Sequence, residues 1–361
     1  MPAPPGHMRD ADCQRPDVAI TAFAGERQEW DDFVHRTPGG TLFHLIAWKE
    51  VLERAFGFSS RYLLARRDGR VIGVLPLFEL HGRGARHCLQ SVPFAVEGGV
   101  CSADEAAAGA LEGAALELAD ALGARSVELR DARMGDGFRA CGANSFRFRR
   151  RLPDDETELL ATIPAKRRNM IRVGMRNGLR SRTSFDDLPA FYDLHARTLH
   201  RLGTPVFPIR YFNLLIEELR DQCVLLTVWH GRVAAAAALA FLFKGTLLPY
   251  YVGSRRDCFR YAVNDFMYWE LMRLACARGC HLFDFGRSRK GSGAYEFKRH
   301  WGLEPEPLRY RIAERGPAAL SQPAVGAGGV ELLRRAWRHL PLTVTKLIGP
   351  FFLRRYGPHY T

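Results

Sequence analysis

The segment that decides the fold spans residues 279–302 and reads GCHLFDFGRSRKGSGAYEFKRHWG. Residues 281–285 predict a buried strand with Asp284 as its one carboxylate, and a carboxylate is costly to bury unless it is paired. A Gly/Ser turn follows, and a second element then presents Tyr295 and Lys298. Five cations crowd this segment, namely Arg287, Arg289, Lys290, Lys298 and Arg299. We therefore predict a site here for an anionic or carbonyl-bearing substrate.

Working outward from this segment, the chain shows one order of elements twice. Each copy has helices, a β-hairpin, a further strand, a helix closed by a glycine, and a last strand. The first copy uses residues 30–56, 62–77, 106–122 and 126–129, and the second uses residues 189–219, 224–234, 264–278 and 281–285. The pattern predicts an α/β (α+β) fold of two duplicated units, each a mixed sheet flanked by helices.

Composition divides the chain into four parts. We place the first unit at residues 17–152 and the second, with the candidate site, at 153–315, because a polar, acidic stretch separates them at 153–158. Residues 316–329 are rich in Gly, Ala and Pro, which predicts a flexible linker. Residues 330–361 predict a basic amphipathic tail.

The bulk composition narrows the classes of function. The net charge of +13 favours anionic partners, although 46 of the 52 basic residues are arginine, a bias that also reflects genome composition. The eight cysteines include no CxxC pair, so we predict neither a zinc site nor any other bound metal. The start of the chain lacks the apolar core of a secretory signal, which favours a cytoplasmic location. The longest apolar run, residues 233–243, is shorter than the roughly 20 residues of a membrane-spanning helix.

A stripe of arginines opens the second unit. Residues 159–185 contain no acidic residue, and Arg168, Arg172 and Arg176 are four apart, so they share one face of a helix. Like charges at this spacing repel each other, and arginine suits bidentate contacts with phosphate. We therefore interpret the stripe as a phosphate cradle, with a solvated helix face as the alternative.

The tail mixes arginines with large apolar residues between residues 330 and 356. This composition predicts binding to the interface of a membrane. The alternative is a closing helix that packs on the body of the protein. We expect Pro341 and Pro350 to break the tail into short pieces.

Three segments resemble the Fem family of non-ribosomal aminoacyl and peptidyl transferases, which are built from two GNAT-like domains. PAKRRNMIR at residues 164–172 is similar to the family's Arg-rich segment, and residues 269–286 are similar to its late helix and strand. GAYEFKRHWG at residues 293–302 is similar to its closing G-x-Y-x-F-K-x-x-[FW]-G signature. The resemblance runs from about residue 43 to 301, and more narrowly it points to Fem-related proteins of exosortase (PEP-CTERM) and exopolysaccharide systems.

The resemblance implies transfer of an acyl group, typically aminoacyl, onto an amine of an envelope precursor. Lys298 matches the family's FK lysine, whose ammonium would stabilise charge on the reacting carbonyl; an ion pair with Asp284 is the alternative. Tyr295 would orient the substrate or relay a proton, or be a core residue. Asp284 is expected to anchor Arg287 or Lys298 rather than to act as a base. The residues that we expect to bind substrate are Arg167, Arg168, Arg172, Arg287, Arg299, Trp48 and Tyr251.

The acyl donor is left open between aminoacyl-tRNA and acyl-CoA, and we expect no tightly bound cofactor. Residues 252–264 stand where acetyl-CoA-dependent GNAT enzymes carry their glycine-patterned phosphate loop, but they have the arginines without that glycine pattern. If acyl-CoA is used, Arg255 and Arg256 are the candidates to bind it. The long helical arm of some Fem members, a candidate tRNA contact, is also missing.

Three functions follow. The first is a Fem-type acyl transferase acting on a lipid-linked glycan or other anionic precursor, with tRNA as a further partner and peripheral contact to the inner membrane through residues 330–356. The second is an N-acyltransferase that uses acyl-CoA. The third is a basic binding module without catalysis; a helix-turn-helix, zinc or RNP signature, which would favour nucleic acid, is not found in the sequence.

Overall fold

The computed structural model describes residues 18–81, 87–131, 133, 135–142, 144–315 and 327–356. Within them the helices are α1 Arg27–Arg36, α2 Ile46–Phe56, α3 Glu105–Leu122, α4 Glu156–Thr162, α5 Ala165–Arg176, α6 Leu188–Leu202, α7 Ile209–Glu218, α8 Val263–Ala277, α9 Gly293–Arg299, α10 Ala327–His339 and α11 Leu342–Tyr356. The strands are β1 Ala19–Ala22, β2 Ser59–Ser60, β3 Leu63–Arg67, β4 Arg70–Leu75, β5 Phe78–His81, β6 His87–Gln90, β7 Cys101–Ser102, β8 Ser126–Leu129, β9 Arg139–Cys141, β10 Ser145–Arg151, β11 Leu179–Thr183, β12 Cys223–His230, β13 Val233–Phe243, β14 Thr246–Ser254, β15 Leu282–Arg289, β16 Glu306–Pro307 and β17 Tyr310–Glu314.

The predicted mixed α/β fold, with sheets flanked by helices, is confirmed. The second unit is a seven-stranded sheet in the order β11-β12-β13-β14-β15-β10-β16. The first unit holds a four-stranded sheet, β1-β3-β4-β7, and a six-stranded sheet, β2-β5-β6-β8-β17-β9. Both predicted hairpins form, β3–β4 and β12–β13, each antiparallel. Glycine follows α3 directly, and Gly123 adopts the left-handed conformation that closes a helix.

One strand pair in the second sheet separates along its length. Strands β14 and β15 run parallel but pair only at Thr246–Leu282 and Leu247–Phe283, near their starts. Further along, β14 carries a bulge opposite Leu239 and Ala240, and a bulge bends its strand away from regular pairing. The gap opens beside Asp284, which follows Phe283, the last residue of β15 that pairs with β14.

Two strands join the sheet of the other predicted unit, across the expected boundary between residues 152 and 153. Strand β10, from the first predicted unit, lies between β15 and β16 in the second sheet. Strand β17, from the second predicted unit, pairs with β8 and β9 in a sheet of the first. A polar stretch in the sequence marks where the chain reaches the surface, but the ladder that a strand joins depends on contacts far along the chain. The two units therefore exchange a strand each.

The largest hydrophobic core lies between the two units and contains Trp48 and Tyr251, which the sequence analysis expected to bind substrate. Trp48 of α2 is fully buried, and its ring contacts Phe43 at 4.9 Å and Phe241 at 5.8 Å between centroids. Tyr251 of β14 is 5% exposed, and its hydroxyl hydrogen-bonds that of Tyr211 at 2.6 Å. Both side chains therefore belong to the core rather than to a surface that a substrate could reach.

The tail packs on the body in two helices, of which one differs from the sequence-based expectation. The predicted break at Pro341 lies between α10 and α11, but α11 continues through Pro350. The adjacent Gly349 lies so close to Val206 that an added Cβ would be 2.4 Å from the Val206 carbonyl oxygen. This close packing, with Thr345 and Leu353 fully buried, holds the helix together despite the proline. Residues 316–326 of the predicted linker and 357–361 of the tail lie outside the described residues.

Candidate active site

Asp284 is buried in β15, with 7% of its surface exposed. Its Oδ1 accepts a hydrogen bond from the backbone N–H of Gly286 at 2.7 Å. Its Oδ2 lies 3.8 Å from Nη1 of Arg147, on the neighbouring strand β10. Asp284 was expected to anchor Arg287 or Lys298, but its partners are Arg147 and the Gly286 N–H instead. Because β10 joins this sheet, the cation nearest to Asp284 comes from the other predicted unit.

Backbone carbonyl groups of the same strand bind Lys298. Its side chain is 4% exposed, and Nζ donates hydrogen bonds to the carbonyl oxygens of Gly286 at 2.8 Å and Arg287 at 3.2 Å. Gly286 has φ 71°, which favours glycine, so this residue turns the strand where the lysine binds. Within the described part of the chain no Lys298–Asp284 ion pair is formed within 4 Å, and the lysine is held by backbone carbonyls instead.

Burial shifts the pKa values of both groups towards neutrality. Desolvation lowers the pKa of Lys298 from 10.5 to about 7, with Asp284 opposing the shift and Arg287 adding to it. Desolvation raises the pKa of Asp284 from 3.8 to about 6, opposed by Arg147 and by the Gly286 N–H. Two buried titrating groups beside one kinked strand are typical of a reactive site.

Tyr295 lies one turn before Lys298 in α9. Its ring packs edge-on against Phe146 at 5.6 Å and Phe148 at 5.2 Å between centroids. Ser292 caps the helix, since its hydroxyl accepts from the Tyr295 N–H at 3.2 Å. Among the described residues none forms a hydrogen bond with the Tyr295 hydroxyl. The ring therefore serves packing.

The arginine stripe divides between structural and exposed residues. Arg167 forms an ion pair with Asp265 at 2.9 Å, and both side chains are nearly buried. Arg168 donates to the carbonyl of Ile163 at 3.0 Å, which ties α5 to the segment before it. Arg172 is exposed on the same helix. Only the outer part of the stripe therefore presents cations to a ligand.

The remaining expected ligand-binding arginines lie in three places. Arg287 is half-buried beside Lys298, and no described acidic side chain lies within ion-pair distance of it. Arg299 is exposed and lies 3.6 Å from Glu296 of its own helix. Arg255 pairs with Asp257 at 2.7 Å, and Arg256 is exposed beside it. Of this set, Arg287 is the residue that adjoins Lys298.

A cavity of about 380 Å³ between the two units reaches Asp284, and sequence analysis missed it. Its walls include Asp284, Arg147 and Arg149 from the second sheet and Glu97 from the first unit. Arg147 bonds Glu97 at 2.8 Å, which joins the units across the cavity. The alternating sequence RFRRR at residues 147–151 was a signal for these arginines, because every second residue of a strand shares one face.

A separate group of metal-binding residue types lies in the first unit. Nε2 of His87 and of His81 lie 2.8 and 3.1 Å from one carboxylate oxygen of Glu79, and Arg61 donates to the other at 2.8 Å. The two histidines and Arg61 thus share the one carboxylate of Glu79. The cluster shares no residue with the site around Lys298.

Comparison with known proteins agrees with this architecture. A family model described as an acetyltransferase (GNAT) domain matches residues 165–299, which include α5, Asp284 and Lys298. No curated protein matches the sequence. The crystal structure of FemX is 18% identical, with a TM-score of 0.66, over 82% of this chain and 97% of that chain.

Two further solved structures have the same fold. A tandem GNAT protein from the clavulanic acid biosynthesis pathway is 13% identical, with a TM-score of 0.54, over 83% of this chain and 99% of that chain. The C-terminal domain of a putative lysylphosphatidylglycerol synthetase from Agrobacterium fabrum is 15% identical, with a TM-score of 0.53, over 81% and 93%. At these identities the similarity shows the fold, so the expectation of GNAT-like units in tandem is confirmed.

Proposed function

We propose that this protein is an acyl transferase that moves an acyl group onto an amine of a cell-envelope or exopolysaccharide precursor. The observation that carries the proposal is the setting of Lys298, whose Nζ is buried and fixed by two backbone carbonyls beside Arg287. The GNAT match over residues 165–299 supports acyl transfer as the reaction class. The likeness to FemX supports an aminoacyl or peptidyl type of acyl group.

The chemistry assigned to Lys298 follows from its donors. An ammonium has three N–H donors, and two of them are used on Gly286 and Arg287. In the transfer step the acceptor nitrogen attacks the acyl carbon, the bond from that carbon to the donor's oxygen or sulfur breaks, and the nitrogen's proton passes to the leaving group. The third donor of Lys298 stabilises the negative charge that develops on the carbonyl oxygen.

The donor is proposed as aminoacyl-tRNA, with acyl-CoA as the second candidate. The first turn of α8, where a GNAT phosphate loop would end, holds the carboxylate of Asp265, bound by Arg167. Residues 252–264, which lead into this helix, also lack the glycine pattern that lets backbone N–H groups hold a pyrophosphate. The acetyltransferase family match and the neighbouring Arg255 and Arg256 favour acyl-CoA instead. Neither donor is a tightly bound cofactor.

The acceptor is proposed as an anionic or lipid-linked glycan precursor of an exosortase-associated (PEP-CTERM) envelope system. The net charge of +13 and the exposed arginines on α5 support an anionic acceptor. We place the enzyme in the cytoplasm, with peripheral contact to the inner membrane through residues 330–356. Among the described residues, no helix has the length and apolar character needed to cross a membrane.

Substitution of Lys298 separates an enzyme from a binding module. Lys298→Ala should fold and still bind donor, but lose turnover by about 100-fold or more, as expected when an electrostatic donor to an oxyanion is removed. Lys290→Ala, at an exposed lysine in the preceding turn, is the matched control and should keep turnover. Unimpaired turnover in Lys298→Ala would remove the residue from the mechanism.

Thermal shifts identify the donor, because a ligand that binds the native state raises the melting temperature. The probes are acetyl-CoA, an aminoacyl-tRNA and nucleotide sugars. We expect stabilisation by aminoacyl-tRNA, and a nucleotide sugar that also stabilises the protein would support a glycan acceptor. Stabilisation by acetyl-CoA alone would replace the leading proposal with an acyl-CoA-dependent N-acyltransferase. A protein that binds these probes but turns none of them over would be a binding module.

A further inference from the structure

The two C-terminal helices are fixed on the body and form a defined surface. Trp337 of α10 is 8% exposed and contacts Phe352 of α11 at 5.1 Å between ring centroids. An added Cβ at Gly203, at the end of α6, would lie 2.6 Å from the carbonyl oxygen of Arg334. The tail thus packs on the body of the protein as closing helices, and its outer face is exposed to solvent.

That outer face is apolar to an unusual degree. Leu347 is 80% exposed, Phe351 60% and Val344 36%, and their spacing places all three opposite the buried Gly349. Nine large hydrophobic side chains are exposed among the described residues, and four of them lie on α10 or α11, namely Leu332, Val344, Leu347 and Phe351. Clustering of exposed apolar side chains marks an interaction surface.

Cations border the apolar stripe. Residues 327–356 carry six arginines and lysines against one acid, Glu331. Arg354 and Arg355 follow Phe351 by three and four residues, and both are exposed on α11. Long cationic side chains beside an apolar stripe can place their stems along the acyl chains and their charges among lipid phosphates. The charge of the surface thus complements an anionic bilayer.

A basic cavity of about 730 Å³ adjoins the start of α11, where Leu342 forms part of its wall. His200, on the same wall, hydrogen-bonds the carbonyl oxygen of Leu340 at 2.8 Å, so the cavity is tied to the connection between α10 and α11. Two of its cations, Arg201 and Arg256, have no described acidic side chain within ion-pair distance. Burial and the nearby Arg256 lower the pKa of Arg201. The acid on the cavity wall, Asp257, is paired with Arg255 at 2.7 Å.

We propose that this face binds an anionic phospholipid bilayer and that Arg201 and Arg256 hold a headgroup phosphate in the cavity. The apolar stripe enters the interface, the flanking arginines meet the headgroups, and the cavity accepts one phosphate with bidentate arginine contacts. A soluble anion or a nucleic acid would use the cations but leave Leu347 and Phe351 in water. The purpose of the contact, access to a lipid-linked acceptor, rests on the proposed function, whereas the binding itself does not.

Vesicle sedimentation tests the surface. Full-length protein is mixed with vesicles of phosphatidylcholine, with or without phosphatidylglycerol. We expect binding only when phosphatidylglycerol is present, and a loss of about tenfold or more in the double variant Leu347→Gln, Phe351→Gln. The matched control is Met175→Gln with Val233→Gln, two exposed apolar residues outside this face. Equal binding by the test and control variants would overturn the proposal.

The cavity is tested with Arg201→Gln and Arg256→Gln together, against Arg180→Gln and Arg232→Gln at exposed positions elsewhere. We expect the first pair alone to weaken binding to phosphatidylglycerol vesicles by about tenfold. Competition separates the possible ligands: relief of vesicle binding by coenzyme A or by tRNA would assign the cavity to that ligand, and thermal stabilisation by inorganic phosphate without vesicle binding would assign it to free phosphate. Each of these results would overturn the headgroup assignment.

Turnover with a water-soluble acceptor distinguishes this proposal from the proposed function. The variant Leu347→Gln, Phe351→Gln should keep that turnover while losing vesicle binding. Absence of vesicle binding in an active wild-type protein would refute the membrane surface and leave the transferase intact. Vesicle binding by a protein that is inactive with every donor would support the surface and refute the function.

Discussion

The buried ammonium of Lys298 makes the stability of the protein depend on pH in a way that one substitution should remove. Its pKa is lowered from 10.5 to about 7 in the folded protein, because the side chain is nearly enclosed. Between these two values the unfolded chain holds a proton on Lys298 that the folded chain has released. Stability must therefore rise with pH in this window. The lysine is least favourable for folding below about pH 7, where the folded protein has to bury its charge.

The magnitude follows from the proton difference. Each pH unit over which the unfolded chain holds one more proton contributes about 1.4 kcal/mol. From about pH 7 to about pH 9 the difference grows from half a proton to nearly one, which gives roughly 2 kcal/mol. In Lys298→Met this contribution disappears, whereas the cost of losing hydrogen bonds to Gly286 and Arg287 stays nearly constant with pH. The free energy of unfolding of the wild type should thus gain about 2 kcal/mol relative to the variant.

Urea unfolding at several pH values, followed by tryptophan fluorescence, measures this gain. Taking the difference between wild type and variant cancels the groups that titrate in the window without interacting with Lys298. Lys290→Met is the matched control, since it makes the same chemical change at an exposed position and should show no pH-dependent difference. A wild-type minus Lys298→Met difference that stays flat from about pH 7 to about pH 9 would refute the desolvation of Lys298.

Three further predictions concern the neighbours of Lys298. Burial raises the pKa of Asp284 to about 6, so Asp284→Asn should stabilise the protein by roughly 1–3 kcal/mol above about pH 7 and by little below about pH 4. Urea unfolding midpoints across this pH range measure the effect, and destabilisation at high pH would contradict it. Gly286→Ala should cost about 1–2 kcal/mol because its φ is 71°, and it should lower kcat by moving a carbonyl that binds Lys298. Gly291→Ala, with φ 77° and no neighbour within 4 Å, should cost similar stability but keep kcat, and equal kcat in the two variants would count against the role of the carbonyl. Tyr295→Phe should keep its melting temperature and kcat if the ring serves packing, and a loss of kcat above about tenfold would instead assign the hydroxyl to the substrate.

Much of the fold could be read from local signals. The hairpin turn at Asp68-Gly69 forms where the sequence predicts it, because a turn of this kind is specified by a few adjacent residues. The second hairpin turns one residue later than the predicted His230-Gly231, at Gly231-Arg232, because His230 still pairs with Val233. The end of α3 before Gly123 was predictable because glycine can adopt the left-handed conformation that closes a helix. The buried strand around Asp284 follows from an apolar run. These elements depend on neighbours in the chain, and the sequence displays those neighbours directly.

Details of the candidate site depended on distant contacts. Nothing near Asp284 in the chain identifies Arg147 as its nearest cation, since β10 reaches β15 from 137 residues away by leaving its own predicted unit. An ion pair with Lys298 was the local alternative, but the lysine instead bonds backbone carbonyls that Gly286 exposes by its positive φ. The sequence places the charged groups in one segment, and the packing of the sheet decides which of them meet.

The sequence by itself determined the duplicated order of elements, the strand that carries Asp284 and the segment that carries Lys298, because periodicity, turns and glycine stops act over a few residues. Only the tertiary structure decided that β10 and β17 change sheets, that Trp48 and Tyr251 fill the core between the units, and that α11 runs through Pro350. Burial decides each of these outcomes. The free energy of covering an apolar surface depends on which distant surface covers it, and the order of residues does not state that.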